Sequence, residues 1–352
     1  MVENILAWLS IAVGFGAILA LSGLGETINE KVGHLNLGVP GIMYFSAICA
    51  YVCCMFYEKD NEHPIAIVTI LIALLVSFAV GMLFGLIYSV VCVTFKCNQN
   101  VMGLAIASFG VGFGKFLSLS LGLRDYKLSF AGSVFNQGIP VLKDIPYVGR
   151  VLFNHGFMTY VALVFCIIAY IFFKRTRAGL NLSAVGESPA TADAAGIRVT
   201  LYKYVATLIG CGFCGLGGMT YVLDYTHGLW STNNNIEAIG WLAVCLVIFV
   251  TWRPIHLIWG APLFAFCYWA YTYIPVMVSS KFNFVGFNDL LQMLPYLVTI
   301  IILIINSLKK KKENQPPQSL VSLISEKIDK RKYREREMRS LYFIRLSNQH
   351  SF

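Results

Sequence analysis

Arg175-Thr-Arg-Ala-Gly-Leu-Asn-Leu-Ser-Ala-Val-Gly-Glu-Ser-Pro-Ala-Thr-Ala-Asp-Ala-Ala-Gly-Ile197 is a polar interruption between two strongly apolar stretches. It nevertheless has the composition of an ordered element. Ser188 is a good N-cap because its hydroxyl can accept from a free backbone N–H, and Pro189 suits the first helical position. Ala190 to Ala195 favours helix, and Gly196 can close the turn in a left-handed conformation. A short capped helix is therefore expected inside this loop. Glu187 and Asp193 put carboxylates on a surface otherwise rich in Lys and Arg. That pattern suits a docking knob for a soluble partner, and it equally suits an ordinary surface helix.

The flanks of this loop decide the class. Hydrophobic residues make up 57% of the chain and charged residues 13%, and the mean hydropathy is +0.68. These values lie far from a soluble composition and define an all-α, polytopic membrane protein. The net charge of +9 is concentrated after Leu308, where twelve Lys/Arg face five Asp/Glu. The membrane body is nearly neutral, so the basic balance gives no indication of nucleic-acid binding. All ten Cys lie in or beside apolar segments and read as soft packing residues, without a disulfide framework or a zinc site. The first apolar segment lacks a basic lead and a cleavage site, so it is expected to be a retained span.

About 20 apolar residues cross a hydrocarbon core. On that measure the chain has about nine spans, at 5–24, 35–57, 64–95, 100–121, 156–173, 204–225, 236–251, 255–277 and 289–307. The third is too long for one straight crossing; a kink at Gly81 or Gly85, or a re-entrant piece, would raise the count to ten. Basic residues bracket the 174–203 loop, Arg253 marks a short turn, and Lys309 to Lys312 follow the last span. Placing all of these in the cytoplasm puts the C-terminus inside and the N-terminus outside. The acidic turn 58–62 and the connection 122–155, with Arg124, Asp125, Pro140, Lys143, Asp144 and Pro146, then lie outside. A connection of that length is expected to carry its own structure. The membrane body thus covers 1–308, and 309–352 is a basic cytoplasmic tail. Leu320, Ile324, Ile328 and Tyr333 give the tail an amphipathic spacing. Lipid headgroups are its default partner, and it is expected to be dispensable.

Several motifs fail on context. Gly210-Cys-Gly-Phe-Cys-Gly215 matches G-x-G-x-x-G, but a dinucleotide site needs a strand before the glycines and a helix N-terminus at the phosphate. Here the match lies inside an apolar helix, so Gly210, Gly212, Gly215, Gly217 and Gly218 read as a tight helix-packing surface. Gly110-Val-Gly-Phe-Gly-Lys-Phe116 lacks the Gly at 109 and the Ser or Thr at 116 that a phosphate loop needs. If ATP drives this protein, another polypeptide binds the nucleotide. Among ionisable and polar groups at membrane depth, Lys115 is the clearest functional candidate, with snorkelling to the outer interface as its structural alternative; Asn36, Asp224, His227 and Glu237 sit nearer segment ends. No chain of buried carboxylates resembling a proton relay is apparent, and no catalytic or metal-ligand cluster stands out. An intramembrane enzyme is unsupported, and an ion-coupled secondary carrier or facilitator for a small polar solute is one reading that a chain of this composition allows.

Three stretches, taken together, resemble bacterial ABC-transporter permeases of the branched-chain amino acid, ribose and nucleoside class, most closely the nucleoside or simple-sugar permease subunits. Gly25-Glu-Thr-Ile-Asn-Glu-Lys-Val-Gly-His-Leu-Asn-Leu-Gly-Val-Pro-Gly41 is similar to G-E-x-x-x-E-R-x-G-x-x-N-L-G-x-E-G. Thr176 to Ile197 resembles T-x-x-G-x-x-x-x-A-x-G-x-N-P-x-A-A-x-x-x-G-I, and Ile239 to Pro254 resembles G-x-x-x-L-A-x-x-x-x-x-G-x-W-x-P. The chain departs from these patterns at Pro40, Ser188 and Val250. The resemblance implies that residues 186–196, among them Gly186, Glu187, Ser188, Pro189, Ala190, Asp193, Ala194 and Gly196, form a cytoplasmic coupling helix that docks on an ATPase subunit. ATP and Mg would be bound there and no cofactor by this chain. It further implies an external substrate-binding (lipo)protein, a second permease copy or paralogue, and a location in the bacterial plasma (inner) membrane. Nucleosides or related simple sugars would be the solute, with Asn36, Gly38 and Gly41 on the pathway near a discontinuity of the second span.

Overall fold

The computed structural model of the chain describes residues 2–124, 126–138, 142, 145–231, 235–277, 286–309 and 317–320. In a bilayer the apolar runs must satisfy their backbone groups internally, and helices do so. They are α1 (Val2–Lys31), α2 (Val39–Asp60), α3 (Ala66–Ser89, prolonged by a π-helical turn Val90–Thr94) and α4 (Gln99–Ser120). Then come β1 (Tyr126–Lys127), α5 (Ser129–Phe135), α6 (Phe157–Arg175), α7 (Arg177–Glu187) and α8 (Pro189–Ala194). The remainder is α9 (Val199–Thr220, prolonged by a π-helical turn Tyr221–Tyr225), β2 (Leu229–Trp230), α10 (Ile236–Phe249), α11 (Leu257–Tyr268), α12 (Ala270–Met277), α13 (Phe287–Gln292) and α14 (Leu294–Lys309).

Among the described residues, six helices are long and apolar enough to cross a membrane: α1, α2, α3 with its π turn, α4, α6 and α9 with its π turn. The count is seven if α10 and α11, which meet at a bend of 119°, make one broken span. The expectation of about nine crossings is therefore not confirmed among the described residues. Two of the expected spans, 236–251 and 255–277, are the arms of the bent pair together with α12, and α14 is an apolar helix of 16 residues, shorter than the six. Nor does the third segment divide: α3 and its π turn form one continuous helix. Gly81 and Gly85 do not kink it. A Cβ at either would meet the α9 backbone near Cys211 and Thr207, so these glycines let two helices touch. The second span starts at Val39, later than expected, because 32–38 forms a turn.

α9 is the centre of the body and packs most extensively against α3 and α1. Without a hydrophobic driving force between helices in lipid, close backbone approach supplies the attraction, and small residues permit it. Gly210 meets Gly25 and Asn29 of α1, Gly217 meets Ser22, Gly212 meets Phe78 of α3, Gly215 meets Ser77 and Ser46, and Gly218 meets the Met43 carbonyl of α2. The glycines thus face three different helices.

The 122–155 connection carries structure of its own. β1 pairs antiparallel with β2, Tyr126 opposite Trp230. The Ala131 N–H donates to the Glu58 carboxylate at 2.6 Å, pinning α5 to the end of α2. Asp125, Pro140, Lys143 and Asp144 lie outside the described residues. Of the tail, Pro317, Ser319 and Leu320 are buried, and the Ser319 hydroxyl donates to the Gly186 carbonyl. The tail is thus not wholly detached from the body. Ile324, Ile328 and Tyr333 lie outside the described residues.

Candidate functional site

The loop after α6 folds into two helices. Thr176 ends α6 and caps α7: its Oγ1 accepts from the Gly179 N–H at 3.0 Å and donates to the Phe172 carbonyl at 2.7 Å. The sequence reading missed α7; its signal was a Thr N-cap three residues before a glycine. Ser188 is extended (φ −149°) and its Oγ accepts from the Thr191 N–H at 3.4 Å, with Pro189 in the first turn of α8. Gly196 closes the motif at φ +80°. The capped helix expected between Ser188 and Gly196 is therefore α8. Glu187, Ala190, Asp193, Ala194 and Gly196 are exposed, and Ser188 and Pro189 are half-buried.

This surface is joined to α1. Gly186 is buried against the Lys31 carbonyl, where a Cβ would collide with it. Glu187 and Arg253 both lie within electrostatic reach of the Lys31 ammonium, which also sits over the Phe173 ring at 5.4 Å. One residue earlier, the buried Glu30 accepts from the Trp252 indole N–H, which lies at the bend between α10 and α11. Thr251 (φ 53°) and Trp252 (φ 55°) both occupy left-handed backbone there. Left-handed conformations in bulky residues cost about 1–3 kcal/mol each and persist only where the surroundings impose them.

A turn further into α1, Glu26 is fully buried. It accepts from Asn29 Nδ2 at 3.0 Å and from the Asn36 N–H at 3.1 Å. Asn36 Nδ2 in turn reaches Cys211 Sγ of α9 at 3.3 Å, and His34 Nδ1 lies 2.8 Å from Thr207 Oγ1. Two buried carboxylates one turn apart are thus embedded in a polar hub linking α1, the 32–38 turn, α9 and the α10–α11 bend. This pair on one helix is not the multi-segment proton relay that the sequence was searched for, and the sequence reading did not single it out. Their signal was the i, i+4 spacing of Glu26 and Glu30 at the end of an apolar run, which a search for relays across several segments overlooks. In such a setting each polar group must find a partner. Glu30 Oε1 and Asn29 Oδ1 find none among the described residues. Trp252→Phe would leave the Glu30 carboxylate with neither oxygen engaged. It is expected to cost about 1–3 kcal/mol, read as a lower unfolding midpoint of the detergent-solubilised protein.

The other candidates fall in two places. Asn36, Gly38 and Gly41 are all buried: the Gly38 N–H donates to Asn36 Oδ1 at 2.9 Å, and Gly41 packs backbone to backbone on Gly110 of α4. A pathway through them requires α2 and α4 to part. Lys115 pairs with Glu237 at 3.2 Å, joining α4 to α10, and both side chains are about half exposed. No group of three or more His, Cys, Asp or Glu among the described residues has metal-site geometry.

Long apolar helices packed through glycines, with a capped polar loop wired to a buried hub, define a polytopic membrane protein. Residues 8–303 match the family model described as branched-chain amino acid transport system permease component, and the chain belongs to that family. It is similar to TsgC13 of Haloferax volcanii, an ABC transporter permease protein with a provisional glucose assignment: 32% identity over 256 residues, 73% of this chain and 74% of that protein. It is also similar to the guanosine ABC transporter permease protein NupQ of Bacillus subtilis, with 27% identity over 301 residues, 82% of this chain and 88% of that protein. The nucleoside ABC transporter permease protein NupC of Lactococcus lactis is 27% identical over 289 residues, 81% of this chain and 87% of that protein.

Proposed function

We propose that this chain is the membrane-spanning permease subunit of an ATP-driven importer for nucleosides or related simple sugars, delivered by an external binding protein. The observation that carries the reading is the exposed, capped α8 fixed through Gly186 and Lys31 to α1. A helix that docks on an ATPase must transmit force, and this one ends on backbone contacts, not on a flexible tether. Displacing α7 and α8 pulls on Lys31. Glu30 and Trp252 carry the displacement to the α10–α11 bend, while Glu26 and Asn36 carry it to the start of α2. Parting α2 from α4 at Gly41 and Gly110 would then open the pathway.

In this reading ATP and Mg reside on the ATPase, a second permease subunit completes the cavity, and the complex sits in the bacterial inner membrane among its lipids. Five long helices precede α7, so a cytoplasmic α8 puts the N-terminus outside. Counting α10, α11 with α12, and α14 as separate crossings gives about nine and a cytoplasmic C-terminus. The names of similar proteins support nucleosides or sugars as solute. The test is uptake of labelled guanosine and ribose into proteoliposomes holding this chain, its partner permease, the ATPase and the binding protein. Uptake should require ATP inside the ATPase-facing compartment. Uptake by this chain alone, driven by an ion gradient, would instead establish a secondary carrier.

A further inference from the structure

At the far end of α9 from α8, a cavity of about 450 Å³ opens between α1, α6 and the connection before α6. Small-molecule sites span about 300–1,000 Å³, so a monosaccharide or nucleoside fits. Two π-helical turns end at its wall, Gly149–Phe153 and Tyr221–Tyr225. They deliver Asn154 and His155 from one side and Asp224 and Tyr225 from the other. Such turns cost regular hydrogen bonding and concentrate at functional sites.

Asp224 is 7% exposed and lines the cavity. It sits against Gly156, the N-cap of α6, so closely that a Cβ there would collide with the carboxylate. No hydrogen bond from a described residue reaches the carboxylate. His155 Nε2 lies 2.8 Å from the Val151 carbonyl, which makes Nε2–H the donor and leaves Nδ1 as an acceptor beside Gly14. Burial holds this imidazole below its ordinary range. His227, in left-handed backbone at φ 55°, is also held down, first by burial and then by Lys127. The lining thus combines one carboxylate, two imidazoles, the side-chain amides of Asn136 and Asn154, and the ring of Tyr225.

We propose that this cavity is an external binding site for a hydroxylated ring solute, the ribose or hexose class, held on this subunit apart from the α2–α4 contact. A carboxylate and an imidazole nitrogen accept from neighbouring hydroxyls, the Asn154 amide donates and accepts, and the Tyr225 ring offers an apolar face to ring C–H groups. Hydroxyl donors suit Asp224 better than a metal ion does, since the cavity groups too few ligands for one. The inference rests on the import reading.

The test is equilibrium binding of tritiated ribose and tritiated guanosine to the full chain in nanodiscs, beside ATP-dependent uptake by the complete transporter. Saturable binding to the wild type is expected. Asp224→Asn, which puts an amide donor in place of one accepting oxygen, should weaken it about tenfold. Asn154→Ala, on a connecting loop, should weaken it less while keeping the unfolding midpoint, so a folding failure of the first variant does not decide the matter. Absence of saturable wild-type binding, or binding unchanged in both variants, overturns the site. So does binding of choline that requires Asp224 and is not displaced by ribose, which would mark a cation site. Intact uptake without binding to the chain removes only this inference; absent uptake removes the import reading itself.

Discussion

Replacing Glu187 and Asp193 together by Lys is expected to abolish ATP-dependent uptake while the protein still inserts and elutes as a folded species. Both side chains are exposed and flank the Ser188 cap, so the change leaves the capping hydrogen bond and the buried Gly186 and Ala192 untouched. The surface potential reverses, and the attraction between Glu187 and Lys31 is lost with it. A partner groove complementary to two carboxylates would then face two ammonium groups, and like charges across an interface cost several kcal/mol. A loss of about 1.4 kcal/mol already lowers occupancy of a weak complex about tenfold. The pair of measurements is uptake into proteoliposomes and co-purification of the ATPase. Unimpaired uptake with the ATPase retained would remove α8 as the docking element. Lost uptake with normal co-purification would move the defect from docking to transmission through Lys31, whose ammonium lies within reach of Glu187.

The second large effect is structural. Gly210→Val is expected to prevent accumulation of folded protein. A Cβ at Gly210 meets the Asn29 side chain and the Gly25 carbonyl, so the obstacle includes backbone as well as a side chain able to rotate. Overpacking a well-filled site costs about 1–3 kcal/mol; here α1 would have to withdraw from α9 and strain the Asn29–Glu26 bond. Monodisperse yield by fluorescence-detected size exclusion measures this. Gly112→Val is the matched control, because nothing lies within 4 Å of its Cβ position. Equal yields for the two variants would contradict the packing role of the α1–α9 contact.

Much of this was legible in the residues because it depends on local chemistry. Ser188, Pro189 and Gly196 state a helix and its two ends within nine positions, and α8 follows from them. The glycine run 210–218 announced close packing for the same reason: a missing Cβ has few other uses in an apolar helix. What was not legible required knowing which helices meet. The expected spans 236–251 and 255–277 are apolar enough to read as separate crossings, but the bend at 250–253 is fixed by Trp252 reaching Glu30, more than two hundred positions away in the chain. Likewise Asn36, Gly38 and Gly41 were expected on a pathway from the family resemblance and a discontinuity of the second span. Contacts from Cys211 and Gly110 close that stretch. Lys115 was read as a choice between function and snorkelling; its partner Glu237 lies on another helix.

The Ser319 contact also bears on biosynthesis. The Gly186 carbonyl that accepts its hydrogen bond, and the Gly33 turn beside it, emerge from the ribosome long before residue 319 does. Until α14 has been inserted and the chain has doubled back, that junction stays open to water and to other proteins. Nascent or prematurely terminated chains therefore present a different surface beside α8 from full-length ones.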